Sequence, residues 1–152
     1  MRVIEGIEEL KSLKGQPLGA SGWFTVEQPL VDAFADATKD RQWIHVDPER
    51  AAKESPYGAT IAHGFLTLSL LSHLISQAFR VQGNFRNTIN YGLNRVRFTG
   101  PVIVGSRIRG HFTLQDCEDH PWGVQSTYAA AVEREGELKP VLVAEWITRI
   151  YV

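Results

Sequence analysis

The run from Gly64 to Arg80 constrains the fold more than any other stretch of this chain. Within it Phe65, Leu66, Leu68, Leu70, Leu71, Leu74, Ile75, Ala78 and Phe79 cover most of the circumference of a helix. A helix that is apolar nearly all round is usually buried. After Gly83 the period changes to two. Ile89, Tyr91 and Leu93 alternate with Asn90, Gly92 and Asn94, and then Val96 and Phe98 take up the opposite parity. That slip predicts a bulge near Asn94-Arg95. Ile108, Phe112 and Leu114 alternate with polar residues, as do Val124, Tyr128, Ala130 and Val132, and a last strand runs from about Val141 to Tyr151. Gly100-Pro101, Gly105, His120-Pro121 and Gly136 punctuate these strands.

Ahead of the apolar run the pattern is helical. Leu30, Phe34 and Ala37 recur at helical spacing, which predicts a helix from about Glu27 to Thr38 with Thr25 as N-cap and Pro29 in the first turn. Asp47-Pro48-Glu49 is a second start signal, for a short helix that Ser55-Pro56 closes. Four long strands then follow with no helix between them, and strands without helical crossovers favour an antiparallel sheet. The expected class is α+β: a single hot-dog domain over residues 1–152, its antiparallel sheet wrapped around one long buried central helix.

Composition excludes several classes of function. The 152 residues are 43% hydrophobic and 22% charged, with a net charge of −1 and no basic block, so no phosphate-neutralising face for a nucleic acid is expected. The apolar stretch from Gly64 to Leu71 contains Thr67 and Ser69 and is far too short to span a bilayer. A lone cysteine, Cys117, and an N-terminus carrying Glu5, Glu8 and Glu9 fit a reducing, cytoplasmic setting.

Two segments could carry chemistry. In the first, Asp40 and His45 lie five residues apart in a short connection between two helices. A carboxylate and a neutral imidazole that share one water can divide proton transfer between them. Equally, Asp40 could cap a turn and His45 could be a packing residue. The second segment is Thr60-Ile-Ala-His63-Gly64, directly before the buried helix and without a strong cap in front of it. A free helix start suits a carbonyl oxygen that becomes an oxyanion. The plainer alternative is that Thr60 or His63 caps the helix and Gly64 relieves crowding. Asp40, His45, Asp47 and His63 follow no metal-ligand spacing, so no metal is expected. Arg95, Arg97, Arg107 and Arg109 read as solvated strand faces, one or two of which could meet phosphates.

Together the segments resemble the MaoC-like dehydratases, a family that includes the (R)-specific enoyl-CoA hydratases. The shared pattern is Asp40-x4-His45-x-Asp47-Pro48, followed by Ile61-Ala-His63-Gly64 and an apolar helix. Asp40-Arg-Gln-Trp-Ile-His45 and the later run Ile89 to Phe98 look most like the branch of nodulation protein N and mycobacterial single-domain hydratases. The common hydratase motif has Asn and Pro where Gln42 and Trp43 stand here, with the Asp–His spacing kept. The resemblance implies a hot-dog homodimer acting on an acyl-CoA thioester, with Asp40 and His45 as catalytic dyad and the Gly64 backbone N–H as oxyanion donor. His63 lies beside Gly64 in this substrate-binding segment, and Ser72 matches a family serine near the dyad. No cofactor beyond the substrate's own coenzyme A is implied. Two rivals stand beside hydration: a thioesterase, which would release free thiol, and a non-catalytic acyl-CoA binder, which would not need a proton-transfer pair.

Overall fold

In the computed structural model, which describes residues 1–152, the elements run β1 (Arg2–Glu5), α1 (Gly6–Ser12), β2 (Pro17–Ala20), β3 (Phe24–Thr25), α2 (Gln28–Thr38), α3 (Trp43–Val46) and α4 (Pro48–Glu54). They continue with α5 (Gly64–Ser69), α6 (Leu71–Ala78), β4 (Phe79–Gln82), β5 (Asn87–Phe98), β6 (Arg107–His120), β7 (Gly123–Arg134) and β8 (Leu142–Tyr151). The main sheet has the order β2-β6-β7-β8-β5, all pairs antiparallel, with β3 also on β6. The four long strands and their sense are as the alternation predicts. No helix is long and apolar enough to cross a membrane.

The central helix differs from the single span Gly64 to Arg80. It is built as α5 and α6 around Leu70, whose φ −67° and ψ −14° keep the chain right-handed through the junction. It also ends earlier, because Phe79 turns extended (φ −153°, ψ 165°) and β4 pairs in parallel with β1, Phe79 opposite Arg2 and Val81 opposite Ile4. An apolar Phe79 satisfies a helix stripe and a strand equally well, so periodicity does not find this boundary. The short elements β1, α1, β2 and β3 escape the sequence for the same reason: two to seven residues hold too few periods. The N-cap of α2 is Glu27, in extended conformation and without a side-chain bond, rather than Thr25, which ends β3. Asp47 caps α4 as predicted, accepting from Arg50 N–H at 3.1 Å.

Alternate residues of β6, β7 and β8 face α5 and α6, burying Ile108, Phe112, Leu114, Tyr128, Val132, Leu142, Trp146 and Ile150. The helix comes close to β6 at Gly110. A Cβ there would lie 2.8 Å from the Phe112 ring and 3.0 Å from Leu74 Cβ, so the missing side chain sets the spacing between layers. Edge strand β5 behaves differently. The predicted bulge is present, with a register shift between Asn94 and Arg97 and Arg95 at φ 53°, and a second shift lies between Asn90 and Gly92. Upstream of that second shift the apolar parity faces out. Ile89 pairs with outward Arg149, whereas Thr88 and Asn90 pair with inward Ile150 and Thr148.

Gly110→Val puts a branched side chain into this close helix–sheet contact. It should lower stability by about 1–3 kcal/mol, the usual cost of overpacking, seen as a lower urea midpoint with an unchanged slope. A midpoint equal to wild type would show that α6 and β6 are not held this closely.

Candidate active site

His45 sits on α3, one helical turn held between α2 and the segment leading into α5. Gln28, the first residue of α2, makes both ties. Its Nε2 donates to the His45 carbonyl at 2.7 Å, and its Oε1 accepts from Thr60 Oγ1 at 2.6 Å. The Ile61 N–H adds a bond to the Ile44 carbonyl at 3.1 Å. Thr60 therefore does not cap the central helix; its hydroxyl belongs to this clamp. Nothing in the sequence marks Gln28, which reads as an ordinary first-turn residue.

The His45 ring is buried, and its Nδ1 lies 2.7 Å from the Ile61 carbonyl. A carbonyl can only accept, so Nδ1 carries the proton and Nε2 keeps its lone pair. Burial pushes the His45 pKa below the ordinary 6.5, partly opposed by the Ile61 hydrogen bond, and nearby His63 lowers it further while Asp40 raises it. The structure thus favours a neutral imidazole with a free Nε2.

His63 lies almost parallel to His45, ring centroids 3.8 Å apart and planes 23° from one another, and the tilted Phe34 ring is 5.0 Å from it. Its Nε2 donates to the Asp40 backbone carbonyl at 2.9 Å, which anchors the loop that presents Asp40. Its Nδ1 is buried without a partner. Asp40 is exposed, and its side chain, His45 and His63 bring one polar atom each within 4.8 Å of one another. The residues predicted from the two segments therefore meet in space. They are the right types for a metal site, but the stacking opposes one: a ligand nitrogen must point at the ion in its own ring plane, and two nearly parallel planes do not converge at zinc–nitrogen distance. One ring would have to turn out of the stack.

At the start of α5, His63 is the N-cap residue with extended geometry (φ −60°, ψ 138°), and its side chain makes no cap bond. The first N–H groups of α5 consequently receive no side-chain acceptor. Gly64 borders a cavity of about 410 Å³ with Tyr57, Phe98 and Val102, and the Phe98 ring lies where a Gly64 Cβ would be, 3.1 Å away. Ser72 lies eight residues along the helix, about 12 Å by helical rise, and lines a different groove between α6 and β5. Of the strand arginines, Arg107 is paired with Glu135, Arg109 with Glu133 at 2.7 Å, and Arg95 lies 3.6 Å from Glu145. Arg97 alone of the four lacks a carboxylate partner.

Residues 9–135 match the family model described as MaoC like domain. The chain is 52% identical over 150 residues to 3-hydroxyacyl-thioester dehydratase Z of Mycobacterium tuberculosis, covering 98% of both chains. It is 51% identical over 145 residues to nodulation protein N of Rhizobium leguminosarum bv. viciae, covering 95% of this chain and 90% of that one. Among solved structures, the unliganded R-hydratase PhaJ1 of Pseudomonas aeruginosa superposes with a TM-score of 0.72 at 25% identity, over 91% of this chain and 81% of that one.

The depressed His45 pKa has a definite sign for stability. The folded chain resists protonation that the unfolded chain accepts near pH 6.5, so this contribution is complete above that pH and is lost as pH falls through 6.5 toward the folded value. Melting temperature should therefore fall more between pH 7.5 and 5.5 in wild type than in His45→Gln, and an NMR titration should place the His45 midpoint below 6.5. A midpoint above 6.5 would contradict the neutral-imidazole assignment.

Proposed function

From the premise that this chain belongs to the MaoC-like domain family, we propose that it is an (R)-specific 2-enoyl-CoA hydratase, running in reverse as a 3-hydroxyacyl-CoA dehydratase. The observation that carries the reading is the fixed His45 tautomer, which leaves a lone pair beside Asp40 and next to an uncapped helix start. The name dehydratase borne by the mycobacterial relative, at an identity spanning nearly the whole chain, supports the same reaction class.

The thioester carbonyl accepts a hydrogen bond from the Gly64 N–H, where the helix start favours negative charge. One water molecule lies between Asp40 and the Nε2 of His45. As its oxygen bonds to C3, the imidazole takes its proton, and the double-bond electrons move toward the thioester oxygen as an enolate held by Gly64. The enolate then collapses and takes a proton at C2 on the same face, returned through the dyad. Water is thereby added whole, and no redox partner is needed. Asp40 orients the water and balances the charge that develops on His45. Gln28, Thr60 and His63 hold these groups in place, so they are positioning residues.

We further propose a cytoplasmic homodimer. Strand β5 pairs with β8 alone, leaving its outer edge open, and it carries Ile89, Tyr91, Leu93 and Phe98 between 39% and 56% exposed beside Phe65 on α5 at 69%. A free edge flanked by large apolar side chains is what a second copy would cover.

The test is loss of enoyl-thioester absorbance with crotonyl-CoA and longer enoyl-CoAs. Asp40→Asn and His45→Gln should each lower turnover by about 100-fold or more while remaining folded, and Gly64→Val should lower it by about 100-fold by forcing the carbonyl off the N–H. Gly64→Ala should be milder, because the exposed Phe98 ring can give way. Near-normal rates in a folded Asp40→Asn or His45→Gln would remove the dyad. Light scattering should give twice the chain mass for wild type, with Leu93→Lys shifting it toward monomer; a stable active monomer of wild type would contradict the assembly.

A further inference from the structure

The inner face of the sheet is mostly apolar, and one row of polar side chains crosses it. Cys117 on β6 pairs with Ser126 on β7, Ser126 with Thr148 on β8, and Thr148 with Asn90 on β5, so four polar side chains cross four strands in register. Cys117 Sγ and Ser126 Oγ lie 3.6 Å apart and answer each other. Thr148 is 4% exposed, and its Oγ1 completes no well-formed hydrogen bond; only the Tyr128 hydroxyl, which Ser126 also faces, lies near enough to share one. A buried hydroxyl that lacks a well-formed hydrogen bond is unfavourable.

The open end of this row faces a groove of about 440 Å³ between α6 and β5, lined among others by Ser72, Thr88, Asn90, Tyr128, Trp146 and Thr148. The inverted parity at the start of β5 pairs Thr88 and Asn90 with inward Ile150 and Thr148, which brings both to the groove. The rest of the lining includes Ile75, Phe79, Phe85 and Ile150 with Arg80, so the groove is largely apolar with hydrogen-bonding groups set among its walls. Its Ser72 end stands about 12 Å along the helix from Gly64, well beyond the carbons that the dyad would serve.

We propose that this groove selects acyl chains bearing an uncharged oxygen substituent, a hydroxyl or a keto group, several carbons beyond C3, held by Thr148 and Asn90. The proposal rests on the hydratase reading above and names its substrate class. A substrate oxygen in this position gives the Tyr128 and Thr148 hydroxyls a further hydrogen-bond partner, whereas a plain alkyl chain offers them none. A site built to bond a hydroxyl discriminates against the chain that lacks one.

The test compares kcat/KM for trans-2-enoyl-CoAs of one length, plain or carrying a hydroxyl moved along successive carbons beyond C5, with crotonyl-CoA as a substrate too short to reach the groove. Wild type should favour the best-placed hydroxyl by about tenfold over the plain chain, one net hydrogen bond's worth. Thr148→Val, which keeps the shape, should abolish or reverse that ratio. Asn90→Leu, on the exposed edge strand, should reduce it and decides the matter if the buried variant does not fold. A wild type that prefers the plain chain at every position, or ratios unchanged in both variants, would mean the row makes no bond to substrate and would overturn the proposal. Failure to hydrate crotonyl-CoA as well would instead overturn the hydratase reading, and this proposal with it.

Discussion

The hydrogen bond from His45 Nδ1 to the Ile61 carbonyl, 2.7 Å long and shielded from water, is the contact on which the site depends. It decides which ring nitrogen carries the proton, and so which one is free to act. The same carbonyl belongs to the segment that becomes the start of α5. One bond therefore ties the orientation of the imidazole to the position of the Gly64 N–H. Stacking against His63 removes the remaining freedom of the ring, and His63 in turn grips the Asp40 loop through a backbone carbonyl. Each group that could touch substrate is held by a neighbour that does not.

That arrangement has a cost in the fold that is visible elsewhere. The helix start is left without a cap, which ordinarily forgoes about 1 kcal/mol, and His63 Nδ1, beside the site, is buried and unpartnered. Packing between α6 and the sheet offsets this: Leu71, Leu74 and Ala78 are buried against strands whose inner faces are nearly all apolar. Gly110 allows the close approach that makes this packing possible.

Much of this was legible from residue order. The two-residue alternation marked all four long strands, the parity slip marked the bulge at Arg95, and Asp47-Pro48 marked the start of α4. The two motif segments contained every residue of the Asp40–His45–His63 cluster. What stayed hidden depends on contacts distant in sequence. The end of α6 is fixed by β1, more than seventy residues earlier, and no local pattern reports that pairing. Gln28 is separated from Thr60 by 32 positions, and its role appears only when both ends are placed. The inward turn of Thr88 and Asn90 opposes the simple expectation that the apolar parity faces the core, because an edge strand is free to present apolar residues outward. Ser72, singled out by the family resemblance alone, lines the α6–β5 groove.

The central claim is that Asp40 and His45 direct water to C3 of an enoyl thioester and leave the thioester itself intact. Incubation with crotonyl-CoA in ¹⁸O-labelled water, followed by chiral chromatography and mass spectrometry, tests this directly. The account predicts (R)-3-hydroxybutyryl-CoA with one label in the C3 hydroxyl and no free thiol. Label in a released carboxylate together with free coenzyme A would show attack at C1 and contradict it.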